Sequence, residues 1–124
     1  MAKYLFLAFT NPRTTAQEGE FNQWYEQDHV RDVLNVPGFV SARRFRLAQT
    51  QFPLDDQAHT HRYLALYEIE TDDAAATLQE VVARVGSPDM QYTDAFNMDT
   101  LQASLFEEIM PVLKAEDVQR PRRA

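Results

Sequence analysis

The chain has 124 residues, no cysteine and a net charge of −7. That length makes one domain with room for a core, and the missing cysteines exclude disulfides, thiolate metal sites and cysteine nucleophiles. The acidic balance argues against nucleic acid as a partner, because phosphate binding needs cationic surface. The apolar run in MAKYLFLAFT is too short for a signal peptide or a bilayer span, so a cytoplasmic protein with no membrane partner is expected.

Residues 3–10 (KYLFLAFT) read as a strand that is apolar on both faces. Asn11-Pro12 ends it. Thr15 and Glu18 have capping-box spacing, and a helix follows to about Leu34. Within it Phe21, Tyr25, His29 and Val33 recur every four residues. They form one stripe facing the core, flanked by Trp24 and Val36. His29 stands where an apolar side chain belongs. Burying its ring costs free energy unless a partner or a wet cavity meets it.

Pro37-Gly38 turns the chain into a second strand, residues 38–47. Simple alternation puts Phe39, Ser41, Arg43, Phe45 and Leu47 on one face, and Val40, Ala42, Arg44 and Arg46 on the other. Residues 48–60 are a polar loop, and residues 61–70 (HRYLALYEIE) a third strand, again apolar on both faces. A second helix, capped by Thr71 or Asp72, runs to about Val85, with Leu78, Val81, Val82 and Val85 as its core stripe and Gly86 as its stop. Residues 87–99 are irregular, with a helical turn expected near Ala95. Residues 101–112 are the last strand, placed at an edge or strand end by Pro111. The domain spans residues 1–115, and 116–124 with Arg120, Arg122 and Arg123 read as a basic, solvated tail.

The order β-α-β-β-α-β predicts a ferredoxin-like α+β fold: a four-stranded antiparallel sheet with both helices on one face. Right-handed crossovers lead us to expect parallel pairing of strands one and three. Two helices cover one side only, so the open apolar face calls for a second copy of the chain, a homodimer.

Three runs carry a family resemblance: W-Y-x-x-x-H (Trp24, Tyr25, His29), D-V-L-x-V-P-G-F (Asp32 to Phe39) and A-R-R-F (Ala42 to Phe45). With the later H-R-Y-L-A-L-Y-E (His61 to Glu68) they resemble the dimeric α+β barrel superfamily, in its EthD-like branch named after an ethyl tert-butyl ether degradation protein. The resemblance implies a histidine on helix one that points into a pocket between helix and sheet. It leaves the reaction open, because the superfamily holds cyclases, isomerases, cofactor-free monooxygenases and members without known activity.

His29 and Tyr25 are the candidate catalytic pair. An imidazole ordinarily titrates near neutrality and can move protons, and a phenol can hydrogen-bond a substrate oxygen. Phe21, Trp24, Phe39, Arg43, Phe45 and Tyr63 are candidate substrate-binding residues, with Tyr92 and Asn97 from the irregular stretch. Arg43 shares its predicted face with Phe39 and Phe45, where it would steady an oxyanion. Asp28 and Asp32 are expected to face solvent or pair with Arg31 and Arg44, the alternative being that they orient His29 or an arginine of the second strand. Arg44 and Arg46 are expected at the surface or interface. His59 and His61 share a strand face, but no third ligand stands nearby, so no metal is expected. No haem is expected either. Only three isolated glycines exist, so there is no phosphate loop. No serine has a nucleophile-elbow context.

The reading that follows is a small cofactor-free enzyme with His29 as general acid or base, acting on an aromatic, polyketide-like or lactone molecule. Isomerase, cyclase, lyase and cofactor-free monooxygenase chemistry all fit. The rival is a non-catalytic dimeric ligand-binding or stress-associated module.

Overall fold

A computed structural model describes residues 1–118; the cluster Arg120, Arg122 and Arg123 lies outside the described residues. The sheet has four strands, β1 (Ala2–Thr10), β2 (Phe39–Arg46), β3 (Tyr63–Thr71) and β4 (Gln102–Glu107), in the order β2-β3-β1-β4. Every neighbouring pair is antiparallel. The expected parallel pairing of strands one and three is therefore wrong. The crossover rule makes β1 and β2 parallel, because a helix joins them, and β3 slots between the two in the opposite sense. The last strand is an edge strand but stops at Glu107, well before Pro111. The third begins at Tyr63 rather than His61.

The helix after β1 starts with a 3-10 turn (Thr15–Gln17), continues as α1 (Glu18–Trp24), widens into a π-helical stretch (Tyr25–His29) and ends as α2 (Val30–Leu34). In the π stretch the Val30 N–H donates to the Tyr25 carbonyl five residues back. The sequence explains why a wide turn belongs here. Steps of four residues overshoot an α-helical turn by about 40° each, so the stripe from Phe21 to Val33 would drift about 120° round the helix. A π turn holds more residues and takes up part of that drift. Phe21, Tyr25, His29 and Val33 are accordingly all buried.

Strand β2 carries a bulge. Phe39 lies opposite Ile69, but Ser41 already lies opposite Glu68, so Val40 is the extra residue. The bulge resets the alternation by one. Phe39 faces the helices, whereas Ser41, Arg43 and Phe45 share the open face with Glu68, Leu66 and Leu64. Ala42, Arg44 and Arg46 share the helix face with Tyr67, Ala65 and Tyr63.

Helix α3 (Ala74–Arg84) is capped by Asp73, whose side chain accepts the Ala76 N–H, rather than by Thr71 or Asp72. It buries Thr77 and rests Val81 on the core, while Val82 and Val85 are exposed. The expected stripe was rotated by one residue towards the C-terminus. Thr77 packs within 3.4 Å of where a Cβ on Gly38 would stand, and Gly38 has φ +100, so the turn into β2 requires glycine.

The core joins this helix face to Phe21, Trp24, Tyr25, Tyr63, Ala65, Tyr67, Met90, Ala95 and Phe96. Residues 87–99 are not a free loop. Arg13 pins them through its N–H to the Ala95 carbonyl (2.7 Å) and its Nε to the Asp94 carbonyl (2.8 Å). Trp24 Nε1 donates to the Gln91 carbonyl at 3.1 Å. No described helix is long and apolar enough to cross a membrane.

Candidate functional site

The π turn delivers two polar side chains to the underside of the helix. His29 stacks on Trp24 at 4.6 Å and 19°, and its ring stands 5.1 Å from both Tyr25 and Tyr92. It is therefore walled by aromatic rings and only 6% exposed. Burial, with the Arg44 guanidinium adding to it, lowers its pKa from the usual 6.5 to about 4. The ring is thus neutral at pH 7, not poised at neutrality as the residue type alone implies.

Tyr25 lies at the centre of the group. Thr10 and Tyr67, both on the helix face of the sheet, are close enough to act on its phenol, and Arg44 lies over its ring at 4.3 Å. Burial outweighs their help and holds the Tyr25 pKa up to about 12. Burial likewise pushes Tyr67 well above its ordinary value, with Tyr25 adding to the rise. Both phenols stay protonated and can donate. Thr10 and Tyr67 stand near the Tyr25 phenol without reaching hydrogen-bond geometry, so among the described residues Thr10 Oγ1, His29 Nδ1 and the Tyr67 hydroxyl, all three buried, make no well-formed hydrogen bond. Each unmet buried polar atom costs about 1–3 kcal/mol, and three around one side chain are a heavy concentration for a small domain.

The other candidates sort differently. Phe21 is fully buried, with Tyr63 at 5.2 Å and Tyr25 at 5.4 Å, and is packing. Phe39 stands edge-on behind Tyr67 at 5.7 Å. The Tyr63 hydroxyl is already engaged, donating to Glu18 Oε2 (2.6 Å) and accepting from Asn22 Nδ2 (3.1 Å). Asn97 accepts the Asp99 N–H and caps a 3-10 turn. Arg43 is corrected too: its guanidinium lies 4.9 Å from the Phe45 ring, and both face away from His29 because of the bulge. The arginine that reaches the site is Arg44. Asp28 and Asp32 line an outer cleft of about 350 Å3 with Trp24 and Tyr92, and burial and neighbouring carboxylates raise the Asp32 pKa.

Sequence reasoning missed Thr10, Tyr67 and Arg44 as site residues. Tyr67 carried a signal, because Tyr63, Ala65, Tyr67 and Ile69 form one strand face with hydroxyls at two of four positions. Of the H-x-H pair, His61 is held by Thr60 Oγ1 and the Thr100 carbonyl, and His59 stands 3.7 Å from Asp55. Among the described residues, no three His, Asp or Glu side chains group as a metal site.

The arrangement resembles a known architecture. A crystal structure of "a putative monooxygenase" from Shewanella loihica matches with a TM-score of 0.53 at 12% identity, covering 89% of this chain and 98% of that one. The likeness is one of fold: a ferredoxin-like α+β arrangement built on a four-stranded antiparallel sheet. An ethyl tert-butyl ether degradation (EthD) family protein from Bacillus halodurans is also similar, at 14% identity over 88% of this chain and 100% of that one, with a TM-score of 0.47. No protein-family model matches the chain, and no curated protein matches it.

The buried imidazole makes stability depend on pH. Its folded pKa lies below the unfolded one, so between pH 6.5 and 4 the unfolded chain takes up a proton that the folded chain refuses. Stability is then lost as pH falls through this window, by about 3 kcal/mol in all, and by no more below it. Denaturant titrations across the window should show this slope in the wild type and not in His29→Phe. Equal slopes in the two proteins would contradict the neutral, buried histidine.

Proposed function

We propose that this protein is a small cofactor-free enzyme in which neutral His29 takes a proton from a bound aromatic, polyketide-like or lactone substrate. The Tyr25 and Tyr67 phenols donate hydrogen bonds to the oxygen on which negative charge then develops. The observation that carries the reading is the set of three buried polar atoms without protein partners, Thr10 Oγ1, His29 Nδ1 and Tyr67 OH, gathered round Tyr25. A substrate with a carbonyl or phenol oxygen would meet them where the protein does not. The imidazolium formed would be disfavoured by burial and by Arg44, so the proton is handed back quickly. That favours isomerisation or cyclisation, where a proton leaves and returns within one turnover. Oxygenation of a deprotonated substrate begins with the same step. Turnover of phenolic, lactone and polyketide-like compounds by wild type and His29→Phe tests the reading. A substrate turned over equally by both would overturn it.

The working unit in this reading is a homodimer joined through the open sheet face. Leu5, Phe45 and Phe106 are exposed there, beside Leu7, Phe9, Leu64 and Leu66. An apolar face of this extent is rarely left to water. Light scattering at micromolar concentration should give twice the chain mass, and the contact should bury more than roughly 1,200 Å2 in total. A monomer under those conditions would refute it.

A further inference from the structure

Arg44 has two sides. Inward, it covers the rings of Tyr25, Tyr63 and Phe21 at 4.3, 5.4 and 5.7 Å. Outward, it forms the floor of a cleft of about 310 Å3, lined also by Asn22, Glu26, Phe45, Arg46 and Tyr63. Its side chain is only 15% exposed, yet its neutralisation is poor. Nη2 donates to Asn22 Oδ1 at 2.9 Å, an uncharged partner. Among the described residues, the one carboxylate lining the cleft is that of Glu26, which stands at 3.6 Å and is 68% exposed on its own account. A guanidinium fork usually meets a carboxylate with two short parallel bonds, and here most of its donors are left over. The lining thus holds two guanidiniums against one loosely held carboxylate, in a chain whose net charge is −7.

We propose that this cleft recognises a carboxylate on the substrate, which takes the place of the Glu26 carboxylate on Arg44, with Arg46 adding attraction at the rim. This rests on the function proposed above and narrows its substrate class to small organic acids. Glu26 then serves as a stand-in that keeps the cation tolerable until the acid arrives. The geometry also links binding to chemistry. Burial is the larger cause that keeps His29 neutral and Arg44 the lesser, so an anion seated on Arg44 relieves the second of the two. No uncharged ligand would do the same.

Calorimetry with benzoate and its uncharged analogue benzamide tests this on the full chain. Wild type should bind benzoate about 10–100-fold more tightly than benzamide, the range expected for hydrogen bonds to a charged partner. Arg44→Gln should abolish the preference. Because that variant also uncovers three rings, Glu26→Gln provides an arm with little risk to folding. It removes the internal competitor and should tighten benzoate binding several-fold, whereas the same loss of charge on α3, Glu80→Gln, should not. Equal affinity for the two probes in wild type, a preference that survives Arg44→Gln, or no tightening in Glu26→Gln would each overturn the proposal. Shifts in the His29 ring resonances separate it from the broader reading. Benzamide that binds as well as benzoate and moves those resonances leaves a small-molecule site without anion recognition. Failure of both probes to bind removes both.

Discussion

Replacing His29 by phenylalanine is expected to lower turnover of the natural substrate by about 100- to 10,000-fold while leaving the melting temperature unchanged or raised. The ring volume is kept, so the stacking on Trp24 and the edge contact with Tyr25 survive. What disappears is the proposed base, together with a buried Nδ1 that lacks a partner. Alanine is the weaker choice. It would empty a space enclosed by Trp24, Tyr25 and Tyr92 and cost on the order of 2–5 kcal/mol, so a loss of activity could be a loss of fold. Measuring rate and melting temperature on the phenylalanine variant separates the two. Wild-type turnover in it would remove His29 from the mechanism.

Tyr67→Phe should behave in the same direction for a different reason. The hydroxyl removed is buried and unpartnered in the protein alone, so its loss should be neutral or stabilising by about 1 kcal/mol. If that hydroxyl faces the developing oxyanion, the rate should drop about 100- to 1,000-fold. Stability and activity moving in opposite directions is the signature of a group retained for chemistry. A destabilised Tyr67→Phe protein with full activity would mean that the hydroxyl has an internal partner and no role in the reaction. Thermal melts and steady-state rates on one preparation suffice to decide.

The β-α-β-β-α-β order was legible because the strands are dense in apolar residues and punctuated by Asn11-Pro12, Pro37-Gly38 and Gly86. The buried stripe from Phe21 to Val33 was legible for the same reason, and it led directly to His29. Two things were hidden. Alternation along β2 assumes a regular pleat, and the bulge at Val40 breaks it, which is why Arg43 was placed where Arg44 belongs. The protonation state of His29 was hidden because it depends on what surrounds the ring. Trp24 and Tyr25 are its sequence neighbours, but Tyr92 and Arg44 come from elsewhere in the chain. Thr10 and Tyr67 sit on two adjacent strands and meet Tyr25 only through tertiary packing.

The wide turn in the first helix bears on how such a site can change over generations. A stripe spaced 21, 25, 29, 33 differs by one residue from 21, 25, 28, 32, the spacing that a regular α-helix keeps on one face. A π stretch is what an α-helix becomes when one residue is inserted and the rest of the face is kept in place. Losing a single codon for Gln27, an exposed position in the wide turn, would restore regular hydrogen bonding and leave Tyr25 and His29 on the same side. It would also move His29 about one helical residue, roughly 1.5 Å, along the axis relative to Tyr67 and Thr10 on the sheet. A single in-frame step therefore exchanges backbone regularity for the placement of one imidazole.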